Sequence, residues 1–384
     1  MKTETVKGFD DYTGEEAEKR AVIQEVVKNI FERYGFEPAE TPVIEQEEFV
    51  KGNNERDEAV SDIFKLKDKG KRNLALRYEF TFQLNRIMQN KKMPYKRFQI
   101  GPVFRDEPSR RNRQRQFISC DADILGATAK DEAELFGMFN DILKNLKIDG
   151  VFYVNNRKII NEVLDEEKIN EKDKINVIKE LDKLDKIPIS EVKSNLKKYN
   201  AEGVLETLRK NESYFKKYES YSEIEKLKKN CTSYGLKIIF MPFLARGLSY
   251  YNGTIFEVKT KQIKETICGG GAYIFNNVQS MGFGMSIERL CAVTNLIINL
   301  QKILIVSLNQ DAASIRIAQK LRNQGKSVSV FYGKPSKALE YANAYRIKKV
   351  IFVGAKELKI KKFKVKNMDT GRENLRAEKD LIKA

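Results

Sequence analysis

Between residues 74 and 125 apolar and polar side chains alternate in three segments, 74–83, 97–105 and 117–125, and a period of two over such runs predicts antiparallel sheet. Gly70, Pro94 and the polar run 106–116 separate the segments. Residues two apart on a strand share a face. Arg77, Glu79 and Thr81 are therefore expected opposite Tyr78, Phe80 and Phe82, and Ser119, Asp121 and Asp123 opposite Ile118, Cys120, Ala122 and Ile124. If the polar rows lie on one side of one sheet, they make a floor carrying Glu79, Thr81, Arg105, Ser119 and Asp123, which is costly to build without a ligand. The plainer alternative is a solvated outer face.

Around this stretch the chain predicts further elements. An apolar stripe of Ala17, Ala21, Val22, Val26, Val27, Ile30 and Phe31 marks a helix from about Glu15 to Tyr34, ended by Gly35. Thr41-Pro42-Val43-Ile44-Glu45 reads as a short extended segment at an edge or interface. Residues 155–236 are rich in Lys and Glu, poor in glycine, and helical in character. Alternation returns at 237–244 and 250–258, after which Gly269-Gly270-Gly271 and Gly282-Phe283-Gly284 are expected to lead into a helix from Met285 to about Leu296, its N-terminus a phosphate dock. Beyond Gln301 strands and helices alternate as a compact α/β domain, with a basic strand over Lys359–Lys366. At 384 residues two or three domains are expected. No apolar run approaches the roughly 20 residues that span a bilayer, and the N-terminus has no apolar leader. A cytoplasmic protein with no membrane partner is expected.

The chain contains no histidine and no tryptophan, which removes mechanisms built on an imidazole base and most zinc hydrolase sites. Cys120, Cys231, Cys268 and Cys291 are too scattered for a zinc or redox motif, and no protein metal site is assigned. The chemistry is left to Arg, Asp, Glu, Tyr or a bound metal. Net charge is +17, and residues 302–384 hold 20 Lys/Arg against 7 Asp/Glu. A second basic cluster, nine Lys/Arg over 91–115, sets up two basic surfaces that suit RNA, or equally a set of solvated lysine-rich faces.

Four segments in order carry a family resemblance. Phe104-Arg105-Asp106-Glu107 with Arg115-Gln116-Phe117 resembles the second signature motif of class II aminoacyl-tRNA synthetases, and Gly282-Phe283-Gly284-Met285-Ser286-Ile287-Glu288-Arg289-Leu290 the third. Thr41–Glu45 after its helix resembles the first, which builds the dimer interface in that class, so a homodimer is implied. Leu244–Glu257, with Arg246-Gly247-Leu248-Ser249-Tyr250-Tyr251-Asn252-Gly253, resembles a signature of histidyl-tRNA synthetases. The resemblance implies an α+β catalytic domain built on an antiparallel sheet, the class II synthetase fold, over 1–154 and 237–300. It also implies a helical insertion at 155–236 and a C-terminal α/β anticodon-binding domain at 301–384.

The implied activity is ATP-dependent activation of histidine and its transfer to the 3′ end of tRNA(His). Attack of a carboxylate on the α-phosphorus of ATP brings two anions together, a task suited to arginine, which stays protonated and binds phosphate bidentately. By resemblance Arg105 grips the α-phosphate and substrate carboxylate, Glu107 the adenine end, Arg113 the phosphates, and Arg289 the γ-phosphate. Arg246 faces Arg105 across the α-phosphate, making Arg105, Arg246 and Arg289 the catalytic set. Mg²⁺ bridges phosphate oxygens with few protein ligands. Glu79, Thr81 and Ser119 capture the ammonium; Asp123, Tyr250, Tyr251 and Tyr273 read the imidazole, with Gly270 allowing close approach. Arg110, Arg111 and Asn112 meet the tRNA acceptor end, and Lys361 and Lys364 the anticodon stem-loop.

The chain also departs from the family pattern. Ser119 stands where the family usually has glutamine, Ser249 where an acid is frequent, and Ala272 and Ile274 flank Tyr273 in place of arginine and aspartate. These changes predict weakened histidine binding. Two other readings stay open at this point: a non-catalytic histidine-binding regulatory paralogue, and a class II synthetase for another amino acid.

Overall fold

The helix Gly14–Arg33 turns Ile23, Val27, Ile30 and Phe31 to the interior and stops where Gly35 takes a positive φ of 76°. It belongs to the first of two compact units, 1–296 and 297–384, in a computed structural model that describes residues 3–52, 60, 62–109, 112–184, 186–246, 250–296 and 302–383.

The first unit is organised by an eight-stranded sheet. Its strands are β1 (Glu37–Pro38), β5 (Tyr95–Phe104), β6 (Gln116–Leu125), β7 (Val151–Asn156), β8 (Ile238–Phe240), β9 (Tyr251–Lys259), β10 (Cys268–Phe275) and β11 (Val278–Ser286). Spatial order is β1-β5-β6-β11-β10-β9-β7-β8, antiparallel except for the pairs at the two edges. The predicted class of fold is therefore found. One face is apolar: Cys120, Ala122 and Ile124 of β6 pack with Phe98, Phe283 and the helices Gly14–Arg33 and Ala129–Asn145. Their alternates Ser119, Asp121 and Asp123 look the other way, buried in the protein rather than solvated, which decides against the outer-face alternative.

Three local expectations are corrected. The run 74–83 is not one strand: β4 covers Asn73–Leu76 and pairs with β2 (Ile44–Gln46) and β3 (Lys65–Lys67) in a separate small sheet, and 77–83 leaves it as a loop leading to the helix Leu84–Ile87. Tertiary bonds explain the departure. Arg77 N–H still continues the β2–β4 ladder by donating to Val43 O at 3.0 Å, and Phe104 N–H donates to Arg77 O at 3.0 Å, tying the chain to β5 where the strand ends. Second, the glycine-rich stretches are strands of the central sheet, and the following helix is only Ile287–Val293. Ser286 Oγ accepts from Arg289 N–H at the start of that helix, which is about two turns long. Third, the 91–115 cluster is not one basic surface, because Arg97 is wholly buried and Arg105 faces the interior cleft.

Residues 157–232 form helices, from Arg157–Glu166 to Tyr221–Thr232, whose apolar stripes (Ile160, Val163, Val177, Leu205, Leu227) join the same hydrophobic cluster as the sheet. In the second unit β12 (Lys302–Ser307), β13 (Ser327–Tyr332), β14 (Lys349–Val353), β15 (Lys362–Asn367) and β16 (Glu373–Ala377) lie in the order β13-β12-β14-β15-β16. β12 buries Ile303 and Ile305 on one face and Leu304 and Val306 on the other, as a central parallel strand covered by helices on both sides does. The basic run expected as strand from Lys359 begins instead within a helix, Ala355–Ile360.

Candidate active site

The polar face of β6 and the strands beside it enclose a cavity of about 200 Å³. Strand register sets its floor. β11 runs beside β6 with Gly284 opposite Asp121 and Gly282 opposite Asp123. A Cβ on Gly282 would lie 2.1 Å from Asp123 Oδ1, and one on Gly284 3.1 Å from Asp121 Oδ1, so the glycine pair makes room for the two acids. On the other flank β5 places Arg97 opposite Asp123, Gln99 opposite Asp121 and Gly101 opposite Ser119.

Asp123 is held from both sides: Tyr273 Oη donates to Oδ1 at 2.5 Å, and Arg97 Nη2 lies 2.7 Å from Oδ2. Tyr250 packs against Tyr251 and Tyr273 with ring centroids 4.8 and 5.6 Å apart, an aromatic wall whose hydroxyls burial keeps protonated. Glu79 and Thr81 reach the cavity from the 77–83 loop, although that loop is not a strand. The loop is anchored by Arg77, which does not line the cavity and donates from Nε to Pro102 O at 2.8 Å and from Nη1 to Thr41 O at 2.7 Å. Gln83 Nε2 adds bonds to Pro42 O at 2.9 Å and Glu45 Oε1 at 2.6 Å.

Four guanidinium groups line the same cavity: Arg105, Arg113, Arg246 and Arg289. Arg105 lies over the Phe117 ring at 5.2 Å, with Nε 3.3 Å from Tyr78 O. Arg289 donates to Thr266 O at 2.7 Å, and burial together with the charges of Arg105 and Arg113 makes its proton easier to lose than usual. Cations this crowded favour an anion between them. Arg246 Nη1 donates to Glu257 Oε1 at 2.9 Å and occupies space that a Cβ on Gly269 would fill. Arg113 Nε donates to Glu107 Oε1 at 2.8 Å at the same cavity.

Most residues expected from sequence thus meet in one place: Glu79, Thr81, Arg105, Glu107, Asn112, Arg113, Ser119, Asp123, Arg246, Tyr250, Tyr251, Tyr273 and Arg289 all line the cavity. Gly270 does not. Its Cβ position falls on the β11 backbone, 2.0 Å from Gly282 O, and Gly269 lines the cavity instead, because neighbours on a strand face opposite ways. Arg110, Arg111 and Ser249 lie outside the described residues. Lys361 and Lys364 belong to the second unit, where Lys361 ends the helix Ala355–Ile360 and Lys364 is ion-paired with Glu373 at 3.2 Å. Sequence reasoning assigned no role to Asp121, Arg97 or Glu288. Glu288 Oε1 accepts from Arg20 Nη2 at 2.6 Å and from Ile118 N–H at 3.1 Å, tying the first helix to β6. The alternation in β6 already carried the signal for Asp121.

Burial, only partly countered by Arg105, pushes the Glu79 carboxyl up to about 7. Its ordinary value is 4.5, so between these values the folded state binds the proton and the unfolded state does not, and this group lowers stability as pH rises. Replacing Glu79 with Gln is expected to leave ligand-free stability little changed near pH 5. At pH 8 the variant should exceed the parent by about 1–3 kcal/mol. Denaturant melts at the two pH values check this, and parallel pH slopes for both proteins would refute it. No protein imidazole complicates the comparison.

The family model described as "Histidyl-tRNA synthetase" matches residues 8–290, and one described as "Anticodon binding domain" matches 301–384. The chain is 32% identical over 413 residues to histidine–tRNA ligase 1 of Bacillus cereus, covering 97% of this chain and 95% of that relative. It is 29% identical to histidine–tRNA ligase of Methanocaldococcus jannaschii, with 96% of each chain covered. In fold it is similar to a solved histidyl-tRNA synthetase from Nostoc sp. PCC 7120, with a TM-score of 0.86 at 21% identity over 100% of this chain and 99% of that one. It is also similar to an ATP phosphoribosyltransferase regulatory subunit/histidyl-tRNA synthetase from Bacillus halodurans C, with a TM-score of 0.75 at 20% identity over 88% of this chain and 96% of that one.

Proposed function

This chain belongs to the histidyl-tRNA synthetase family, and from that premise we propose how its own residues carry out the reaction of a histidine–tRNA ligase. The observation that carries the proposal is the convergence of Arg105, Arg113, Arg246 and Arg289 on one cavity whose far wall is Asp123 with three tyrosines.

ATP is the nucleotide substrate. Arg105 and Arg246 flank its α-phosphate, Arg289 and Arg113 hold the outer phosphates, and Glu107 takes the adenine end. Arg113 and Glu107 are bonded to each other in the free protein, so ATP exchanges that contact for its own. Mg²⁺, bound together with the triphosphate, would neutralise part of its negative charge.

A carboxylate oxygen of histidine attacks the α-phosphorus, and the bond to the bridging oxygen breaks with its electron pair leaving on pyrophosphate. The guanidinium groups stabilise the charge that builds on the phosphorus oxygens. The terminal ribose hydroxyl of tRNA(His) then attacks the histidyl carbonyl, the bond from that carbon to the phosphate oxygen breaks, and AMP leaves with its phosphate taking up the hydroxyl proton. Glu79 and Thr81 hold the substrate ammonium. Asp123 accepts the imidazole N–H: a carboxylate has lone pairs beyond those already used by Tyr273 and Arg97, and those two partners aim it and work against the burial that favours its protonated form. Tyr250 and Tyr251 close over the ring.

The second unit takes the anticodon stem-loop. Tyr332 and Tyr345 are exposed there beside Lys334 and Arg346, and Lys361 is exposed as well, giving bases a surface to stack on and phosphates a cation. Asn112 meets the acceptor end, joined by Arg110 and Arg111. A homodimer forms through the small sheet, on which Ile44 of β2 and Leu66 of β3 are exposed. The enzyme works in the cytosol; no helix among the described residues is long and apolar enough to cross a membrane.

ATP–pyrophosphate exchange tested with all twenty amino acids discriminates the alternatives. Exchange that depends on histidine alone is expected. A different amino acid would reassign the specificity, and histidine binding without exchange would point to a regulatory protein.

A further inference from the structure

Three carboxyl groups, Glu79, Asp121 and Asp123, meet at the amino-acid end of the cavity, and the capture of histidine described above employs two of them. Asp121 is 8% exposed and makes no ion pair among the described residues. The charges of Arg97 and Arg105 reach it without an ion pair: Arg97 lies against Asp123 at 2.7 Å, Arg105 lies over the Phe117 ring at 5.2 Å, and Arg77 donates to two backbone carbonyls. Ser119 Oγ donates to Asp121 Oδ1 at 2.5 Å, and among the described residues nothing is hydrogen-bonded to Oδ2. Glu79 feels the charges of both Asp121 and Asp123. A buried carboxylate with an uncommitted oxygen is expensive to keep unless a cation is delivered to it.

Ser119 spends its hydroxyl on Asp121. Asp121, two residues on and on the same face of β6, projects into the same cavity, with Gly284 opposite leaving it room. We propose that Asp121 joins Glu79 in holding the α-ammonium of the histidine substrate, and that Ser119 is a positioning residue whose hydroxyl orients Asp121. The proposal rests on the cavity being a histidine site. It revises the expectation from sequence that the serine simply weakens binding, since the ammonium gains a charge-assisted bond to a carboxylate.

The test compares three ligands: histidine, histidinol, which keeps the amine without the carboxylate, and 3-(imidazol-4-yl)propanoate, which lacks the amine. Calorimetry measures their binding to the full chain and its variants, and NMR of the imidazole reports only ligand because the chain has no histidine. Asp121→Asn is expected to weaken histidine and histidinol by about tenfold to a hundredfold and the amine-free acid by less than about twofold. Ser119→Ala is expected to shift the same two ligands by a smaller factor. If the asparagine variant does not fold, Asp121→Ser carries the same expectation. Equal weakening of all three ligands, or of none, overturns the assignment. A parent protein that binds none of them and shows no histidine-dependent exchange would instead overturn the histidine site itself.

Discussion

Arg246→Ala is expected to lower histidine-dependent pyrophosphate exchange by about a hundredfold to a thousandfold, the usual loss when one preorganised donor to a developing anion is removed. The guanidinium lies over Gly269 with Nη1 bonded to Glu257, so it is already in place before ATP arrives. Its removal leaves no stranded acid, because Glu257 keeps the Thr266 hydroxyl at 2.9 Å and the Lys259 ammonium at 3.4 Å. The fold should therefore survive, and tRNA binding by filter assay should stay within about twofold of the parent. Arg246→Lys should recover only part of the rate, since an ammonium restores the charge and not the planar fork. Equal losses in exchange and tRNA binding would signal collapse of the protein and remove the assignment.

Arg97→Met is expected to destabilise the first unit by about 3–5 kcal/mol, the usual cost of leaving one member of a buried ion pair without its partner. Arg97 is 0% exposed, and Asp123 would retain only the Tyr273 hydroxyl. The double variant Arg97→Met/Asp123→Asn should regain most of that loss, because removing both charges together leaves neither desolvated and alone. It should nevertheless fail to bind histidine, having lost the acid proposed to accept the ring N–H. Denaturant unfolding and histidine binding measured on both variants separate the two contributions. A single variant as stable as the parent would mean that the pair carries no net weight in the fold.

Particular residues show how much of this was legible in the sequence. The helix Gly14–Arg33 and strands β5 and β6 followed from periodicity alone, since one face of each is packed and the pattern has to match. The 77–83 stretch looked like a strand because Tyr78, Phe80 and Phe82 favour one; bonds from Arg77 to Thr41 and Pro102, invisible to local pattern, overrode that preference. Gly269–Gly271 looked like a lead-in to a helix because glycine is a poor strand former. The glycines stand in central strands because neighbouring atoms fill their missing Cβ positions: the Arg246 guanidinium at Gly269, the β11 backbone at Gly270, and Thr254 O with the Tyr251 ring at Gly271. Arg97 was counted among surface cations, although its alternation with Gln99 and Gly101 set it on the face opposite Phe98. Asp121 was placed on the correct face and given no task, because the resemblance assigned roles only to its neighbours.

The fit of Gly282 and Gly284 beneath two acids has a consequence for how such a chain can drift. A methyl group at Gly282 would collide with the carboxylate across from it, so lineages cannot exchange that glycine unless the acid retreats in the same step. On the proposed reading, selectivity for the amino acid and the spacing of two backbone ribbons are coupled, and a library that randomises Gly282 alone should return mostly inactive clones.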